Sequence, residues 1–329
     1  GGGLSGKSGI ERAYEAELRG EAGEEALEVD ARGRKVRVLD SRPAAKGTDL
    51  RLTLDMGVQK LAVELLKNYK GAIVAMDVKN GAILALASSP TYDNNPLAWG
   101  VSGREWNAIV RDPDRPMLDR CISGVYPPAS TFKAFMSLAA LEEDVITSST
   151  SFSCSGAIRL ASHTFRCWRR SGHGSMNVLT ALQHSCDVYF YQVGIRMGID
   201  RILKWAHRFR LGEPTGIDLP GESAGVIAGP DWKRRRFKEN WYQGDTVNYS
   251  IGQGYLLMTP LQIARVYAAI ANGGRLVTPH LSSLNDRPPV DMHLTPAKLA
   301  LVQQGLDYVV QRGTGARAGK FGVTVAGKT

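Results

Sequence analysis

The sequence predicts an α+β fold rather than a doubly wound α/β sheet, on three observations. An apolar hairpin lies early in the chain (71–87), a long helical stretch fills the middle (130–146, 177–211 and 261–272), and strand character returns at Val323-Thr324-Val325. Strands placed before and after a helical run, without regular alternation, imply a sheet with helices packed on it.

The elements follow in chain order. The Gly1-Gly2-Gly3 start looks like a trimmed end, and residues 1–50 are polar and rich in Gly, Glu and Arg. Within them Glu11 to Arg19 reads as a short helix stopped by Gly20. Val36-Arg37-Val38-Leu39 and Leu50-Arg51-Leu52-Thr53-Leu54 alternate closely enough to read as strands. Met56 to Asn68 has helical spacing through Val58, Leu61, Ala62, Leu65 and Leu66. A strand over Gly71–Val78, a Lys79-Asn80-Gly81 turn and a return strand over Ala82–Ala87 make the hairpin, with Asn-Gly supplying positive φ. Both strands are apolar throughout, which predicts a sheet covered by helices. The helical patterns end with Leu261 to Asn272, stopped by Gly273-Gly274, and the proline-rich stretch from Pro279 to Val290 reads as a loop.

Hydrophobic residues make up 43% of the 329, so a sizeable core can form, and 22% charged excludes a disordered chain or a membrane bundle. The net charge of +9 suits an anionic surface such as phospholipid or an anionic glycan precursor. Nucleic acid is the rival partner, but no zinc finger, RRM signature or basic heptad region supports it, and none is expected. The densest basic run, Lys233-Arg234-Arg235-Arg236, reads as a solvated loop. There is no run of 18 apolar residues and no signal peptide.

Chemistry concentrates at Tyr126-Pro127-Pro128-Ala129-Ser130-Thr131-Phe132-Lys133. The two prolines force an extended approach to an apolar helix, and Ser130 and Lys133 share one helical face. A serine hydroxyl needs an adjacent base, and a lysine serves only where burial or a nearby cation lowers its pKa. Phe132, Phe135 and Met136 promise that apolar setting, and main-chain N–H groups at the helix start can donate to a developing oxyanion. A purely structural Ser130 would be an N-cap, but a capping box wants Glu or Gln where Lys133 stands, and Lys is the unfavourable sign at a helix start.

Ser-x-x-Lys alone is a weak motif; its partners make it specific. Ser185-Cys186-Asp187 opens an apolar helical pattern 55 residues later, and the chain closes on Val323 to Ala326 followed by Gly327-Lys328-Thr329. Ser-x-x-Lys, then Ser-x-Asn or Ser-x-Asp, then Lys-Thr-Gly, in that order, is the signature of penicillin-binding proteins and serine β-lactamases. The chain resembles a class B penicillin-binding protein of the elongation type. Gly6-Lys7-Ser8-Gly9-Ile10-Glu11, Tyr14-Glu15 and Leu18-Arg19-Gly20 look like the end of that family's pedestal. Asn248 to Gly254 and Thr259-Pro260-Leu261-Gln262 look like its segment leading to the active-site strand.

The resemblance implies a transpeptidase fold of the penicillin-binding protein/serine β-lactamase type: an antiparallel sheet covered by helices, plus an all-helical subdomain. It divides the chain into residues 1–50, the end of a dimerisation-like pedestal and linker, and 51–329, a transpeptidase domain lacking its C-terminal part. Ser130 would attack a D-Ala carbonyl of a peptidoglycan stem peptide, with Lys133 as general base. Ser185 would relay protons, Asp187 would position the substrate amide, and Lys328 and Thr329 would bind the substrate carboxylate. No catalytic cofactor is implied. The expected partners are stem peptides, β-lactam antibiotics, and a SEDS-type membrane glycan polymerase with the elongation-complex proteins. The expected location is the periplasm, behind a single N-terminal anchor in the cytoplasmic membrane that this chain lacks.

Three departures stand out: Ala129 where the family commonly has Gly, Asp187 for the commoner Asn, and no Gly after Thr329. Two other functions compete. A serine β-lactamase needs a deacylation base, for which Glu213, Asp218 and Glu222 are candidates, although it lacks a pedestal. A scaffold with a vestigial site is the other.

Of four cysteines, Cys154, Cys167 and Cys186 fall within 33 residues, and with His173 they give Cys-x12-Cys-x5-His-x12-Cys. That donor set suits a closed, tetrahedral structural Zn2+ site, which the elongation-type resemblance also implies here. A disulfide between two of the cysteines and three unbonded core thiols are the alternatives. His163 is the substitute fourth ligand, and Cys121 reads as a free core thiol.

Overall fold

A computed structural model describes residues 5–320 and 322–329; the Gly1-Gly2-Gly3 start lies outside the described residues. The first predicted helix is two short ones, α1 (Gly9–Ala13) and α2 (Glu15–Arg19). They break at Tyr14, whose buried ring sends its hydroxyl 2.5 Å to Asp218. Asp218 also accepts the N–H groups of Leu281 (2.7 Å) and Ser282 (2.9 Å). Burial first, and then that carboxylate, pushes the Tyr14 hydroxyl up to about 12.

Strands β1 (Glu24–Val29) and β2 (Lys35–Arg42) form an antiparallel ribbon exposed on both faces. The predicted strand at 36–39 is the middle of β2. The predicted strand at 50–54 does not form: only Leu52 makes a bridge, to Ser282. Thr53 instead ties neighbouring chain segments together, through its N–H to Leu281 O (2.8 Å) and its hydroxyl to Ile83 O (2.7 Å). Two residues later Asp55 caps α3 (Met56–Leu66) by accepting from the N–H groups of Gly57 and Val58.

The hairpin of β3 (Gly71–Met76) and β4 (Ile83–Ser89) is antiparallel, as predicted, but its turn is wider than Asn-Gly implies. Asp77 N–H closes the loop on Ala82 O, and of the residues between them only Gly81 has positive φ, at 91°. A side chain at Gly81 would also meet Thr278 O at 2.4 Å. Both faces are covered, which explains the apolar strands. Ile73, Ala75, Ala85 and Ala87 pack with Ala62 and Leu66 of α3, whereas Ala72, Val74, Met76 and Leu86 pack around Leu261 and Cys121.

After β4 come two exposed helices, α4 (Asn95–Trp99) and α5 (Gly103–Val110), the latter opened by a Ser102/Glu105 capping box. A 3-10 turn over Ala129–Thr131 leads into α6 (Phe132–Glu142), the core of the helical subdomain; the helix stops short of the predicted Ile146. The cysteine-rich insert is a pair of nested hairpins. Strand β5 (Phe152–Cys154) pairs with β8 (Gly174–Met176), and between them β6 (Ala157–Leu160) pairs with β7 (His163–Arg166).

Helices α7 (Val178–Gln183) and α8 (Asp187–Arg208) follow, the second broken at Gly198. A short ladder joins β9 (Val226–Ile227) to β10 (Leu256–Leu257) across α9 (Pro230–Phe237) and α10 (Gln243–Tyr249). The chain then runs through α11 (Pro260–Ala271), β11 (Arg275–Leu276) paired with β12 (Val290–Asp291), and α12 (Pro296–Arg312). The main core gathers α6, α8, α11 and α12 around Phe135, Leu138, Tyr189, Phe190 and Tyr249.

The 279–290 segment is a loop as expected, with a 3-10 turn at Ser283–Asn285 and bridges at His280 and Ser282. Two predictions need correction here. The basic run 233–236 lies on α9, not in a loop, and Lys233 is buried against Asp245 (2.7 Å) between the rings of Tyr242 and Tyr255. Val323–Val325 is not a strand: a strand needs a paired neighbour, and among the described residues this segment has no ladder, only the Gly327 N–H to Leu306 O at 3.2 Å.

Candidate active site and metal-ligand cluster

Ser130 sits in the 3-10 turn ahead of α6 and caps nothing, so the N-cap role is absent. Its hydroxyl instead meets Lys133 Nζ and Ser185 Oγ, each at 3.1 Å. Lys133 lies one turn on and has no exposed surface. Its Nζ reaches Ser185 O (3.0 Å), Ser185 Oγ (3.2 Å) and Asp187 Oδ1 (2.6 Å), with the Phe190 ring 5.7 Å away. Burial pushes the Lys133 pKa down and the Asp187 carboxylate opposes it. Ser185 and Asp187 arrive where α7 hands over to α8, a bend that holds Ser185 at φ 52°.

Asp187 is fully engaged. Its Oδ1 holds Lys133, and its Oδ2 accepts the main-chain N–H of Trp168 at 2.9 Å. The carboxylate thus braces the lysine. Lys328 comes near enough to feel both charges. Burial first, then repulsion from Lys133, lowers it to about 7, with Asp187 pulling the other way. Thr329 does not join the cluster: its hydroxyl donates to Thr314 Oγ1 at 2.7 Å. The candidate deacylation carboxylates point elsewhere. Glu222 serves the Thr215 and Gly216 N–H groups, Asp218 serves Tyr14 and Ser282, and Glu213 offers only its main-chain carbonyl, to Gln262.

The backbone ahead of the nucleophile is strained. Ala129 is at φ 49°, a left-handed conformation that costs an L residue roughly 1–2 kcal/mol. It is held by Gly252, whose O accepts the Ala129 N–H at 2.9 Å. A Cβ on Gly252 would lie 2.2 Å from Ala129 O, so only glycine fits. From the other side Tyr267 donates its hydroxyl to Thr131 O at 2.8 Å. Ala129→Gly is therefore expected to raise Tm by one to a few degrees, as about 1 kcal/mol of strain is relieved. Gly252→Ala should lower Tm and slow any reaction of Ser130 at least tenfold; differential scanning fluorimetry and a labelling time course read both.

Behind this cluster the four predicted metal donors converge. Cys154, Cys167, His173 and Cys186 bring their donor atoms within 4.8 Å of one another. His173 Nδ1 is 3.6 Å from Cys154 Sγ and 3.5 Å from Cys167 Sγ. Cys167 is pulled down to about 5, first by its hydrogen bond with Cys186 and then by the N–H groups of Arg169, Val188 and Asp187; Cys186 is pushed far up in return. Three buried sulfurs and an imidazole are a donor set that fits a soft, four-coordinate cation. None of the four cysteines is bridged in this structure. His163 lies on exposed β7 with its Nδ1 by Ser162, away from the cluster, and Cys121 is buried with its sulfur 3.2 Å from Ala87 O.

Three residues of the site escaped the sequence reading: Trp168, Gly252 and Tyr267. Gly252 lay within a stretch singled out by resemblance, and Trp168 adjoins a predicted ligand, but no local pattern assigns either to Ser130.

Comparison with known proteins agrees with this geometry. The penicillin binding protein transpeptidase domain family matches residues 71–329, and the penicillin-binding protein dimerisation domain family matches residues 1–52. Peptidoglycan D,D-transpeptidase MrdA of Haemophilus influenzae is 44% identical over 278 residues, covering 84% of this chain and 43% of that protein. The chain thus spans less than half the length of that relative. Among solved structures, a complex between PBP2 and MreC from Helicobacter pylori superposes with a TM-score of 0.90 at 35% identity, over 98% of this chain and 61% of that one. Pseudomonas aeruginosa PBP2 in complex with WCK 5153 gives 0.84 at 34% identity, over 96% and 70%. With the Ser130–Lys133–Ser185 cluster in place and a family match over most of its length, the chain belongs to the penicillin-binding protein transpeptidase family, in its class B branch with the PBP2-type proteins.

Proposed function

We propose that the chain carries the acyl-transfer site of a peptidoglycan D,D-transpeptidase that cross-links stem peptides during cell elongation and is inhibited by β-lactams. The observation that carries this reading is the fully buried Lys133 amine 3.1 Å from the Ser130 hydroxyl. As Ser130 Oγ attacks the penultimate D-Ala carbonyl, its proton passes to neutral Lys133. Ser185, in contact with both, carries that proton to the departing D-Ala amine. The acyl-enzyme is then opened by the amine of a second stem peptide, whose surplus proton returns by the same path. Asp187 sets the position of Lys133. Lys328 supplies positive potential for the substrate carboxylate, and Thr329 is proposed to turn toward that carboxylate when substrate is present.

Residues 1–50 are read as the end of the pedestal, on which α1, α2 and the β1–β2 ribbon stand, and residues 51–329 as transpeptidase domain. By family resemblance the working location is the periplasm, with an anchor in the cytoplasmic membrane; no helix among the described residues is long and apolar enough to cross a membrane. The same resemblance names the partners: a SEDS-type glycan polymerase and elongation-complex proteins, MreC being the partner in the Helicobacter complex. Cys154, Cys167, His173 and Cys186 are proposed to hold a structural zinc, which would fix the nested hairpins to the start of α8 and takes no part in acyl transfer.

The test is an intact mass after incubation with benzylpenicillin. A gain of one penicillin mass, mapped to the peptide containing Ser130 and persisting for hours, is expected. Stoichiometric labelling of Ser130→Ala would refute the assignment, and rapid loss of the adduct would favour the β-lactamase reading.

A further inference from the structure

We propose that α9 is a second binding surface, outside the acylation cleft, for the anionic glycan strand that carries the stem peptides. It rests on the transpeptidase reading above and adds a contact to the polymer at a distance from the reacting bond. Of the four consecutive cations on α9, Lys233 alone is buried. It pairs with Asp245 at 2.7 Å and has the rings of Tyr242 and Tyr255 at 5.0 and 5.5 Å. With the helix pinned there, Arg234, Arg235 and Arg236 are all exposed. Lys238 closes the helix at φ 61°, its N–H 3.0 Å from Arg234 O, and adds a fourth exposed charge. Arg234 has Asp231 at 3.6 Å; among the described residues the other three have no carboxylate partner. Flat apolar surface lies between the charges. Phe237 is 47% exposed and rests on Trp232 and Tyr255, with centroids 5.6 and 5.5 Å away, and Tyr242 is 61% exposed.

Free guanidinium groups beside exposed rings fit a polymer that offers both carboxylates and sugar rings. The guanidinium fork pairs a carboxylate at two points. The C–H face of a sugar covers an aromatic ring and leaves the hydroxyls at its edge in water. Because α9 is fixed by its buried cation and its stacked rings, little order has to be gained on binding. Position favours the glycan strand over a lipid surface. Tyr255, against which α9 packs, is three residues beyond Gly252, whose O accepts the Ala129 N–H next to Ser130. Those three residues span at most about 11 Å. A stem peptide of several residues, at about 3.5 Å each, covers a similar distance. With one stem peptide at Ser130, the sugars and neighbouring stem peptides of the same strand therefore come within reach of α9.

The experiment titrates labelled, un-cross-linked peptidoglycan strands with intact stem peptides onto the whole chain, read by fluorescence anisotropy. The variant carries Arg234→Gln, Arg235→Gln and Arg236→Gln together. It is expected to bind the strands about tenfold more weakly, while benzylpenicillin, which has neither sugars nor neighbouring stem peptides, acylates it within twofold of the unaltered rate. Raising salt from about 0.05 M to about 0.3 M should weaken the unaltered chain several-fold and the variant little. Strands whose carboxylates have been converted to amides should bind the unaltered chain as weakly as intact strands bind the variant; that arm needs no substituted protein and decides the matter should the variant fail to fold. Equal affinity of variant and unaltered chain, or full-strength binding of amidated strands, would overturn the proposal. So would a matching loss of benzylpenicillin acylation, which marks damage to the cleft rather than a separate surface. Arginine-dependent binding of phosphatidylglycerol vesicles, without binding of strands, would assign α9 to a membrane and reject the glycan. Failure of benzylpenicillin to acylate the unaltered chain would remove the transpeptidase reading itself, a result distinct from every strand-binding outcome.

Discussion

Lys133→Met is expected to slow acylation of Ser130 by about a thousandfold while Tm changes by no more than about 5 °C. The large kinetic effect follows from geometry: among the described residues Lys133 is the one ionisable side chain bonded to the Ser130 hydroxyl. The small stability effect follows from burial. A lysine with no exposed surface is held at a desolvation cost that its ion pair with Asp187 offsets only in part, because its pKa is still driven below the ordinary value. Methionine has a similar shape and no charge to desolvate; Asp187 loses its counter-charge, but it keeps its bond to Trp168 and, at 13% exposed, reaches solvent. The pH dependence has a definite sign. Lowering the pKa makes the neutral base available at lower pH, so acylation should rise with pH along a limb that Lys133→Met abolishes. The unfolded chain binds this proton more tightly than the folded one, so this group's contribution makes stability increase with pH, from its depressed value up to about 10.5. Stopped-flow acylation and thermal melts across pH separate the two effects, and a variant keeping a tenth of the rate would show that Lys133 is not the base.

Chelating the proposed zinc, or replacing His173 by alanine, is expected to lower Tm by about 10 °C and the acylation rate by about tenfold. A cation present at about a thousand times its Kd stabilises the folded state by about 4 kcal/mol, which at about 2–4 °C per kcal/mol gives that shift. The kinetic loss follows from chain connectivity. Cys186 stands between Ser185 and Asp187, and Cys167 directly precedes Trp168, whose N–H holds Asp187. Loosening the four donors therefore loosens the carriers of Ser185 and Asp187 together. Elemental analysis of protein purified without an affinity tag or chelator should find about one zinc per chain. Two fewer titratable thiols in the unreduced protein, with no metal, would establish a disulfide instead.

The site was more legible in the sequence than the sheet. Ser130 and Lys133 are one helical turn apart, and the order of Ser-x-x-Lys and Ser-x-Asp fixes chemistry that only needs the two helix starts to meet; they do. The convergence of Cys154, Cys167, His173 and Cys186 was foreseeable because three thiols and an imidazole so closely spaced suit few arrangements other than a cluster. The strand assignments at 50–54 and 323–325 failed for a shared reason: alternation records a preference for extended backbone, whereas a strand also needs a paired neighbour, which a one-dimensional pattern does not contain. Missing Trp168 has the same origin, because its contribution is a main-chain N–H, identical in every residue but proline. The left-handed Ala129 was partly visible, as the departure from glycine at that position, but its cause, the Gly252 backbone packed against it, lies more than 120 residues away.

The complete burial of Lys133 also turns it into a reporter. An amine-reactive reagent meets most other lysines at or near the surface, but reaches this one only when the seam between α6 and α8 parts. Its slow modification therefore measures the frequency of that opening, much as a protected amide does in hydrogen exchange. Because Ser130 stands over the amine, an acyl group on the serine would add a lid to the same opening. The labelling rate of one lysine would then register, without any catalytic assay, how firmly an inhibitor closes the protein around itself.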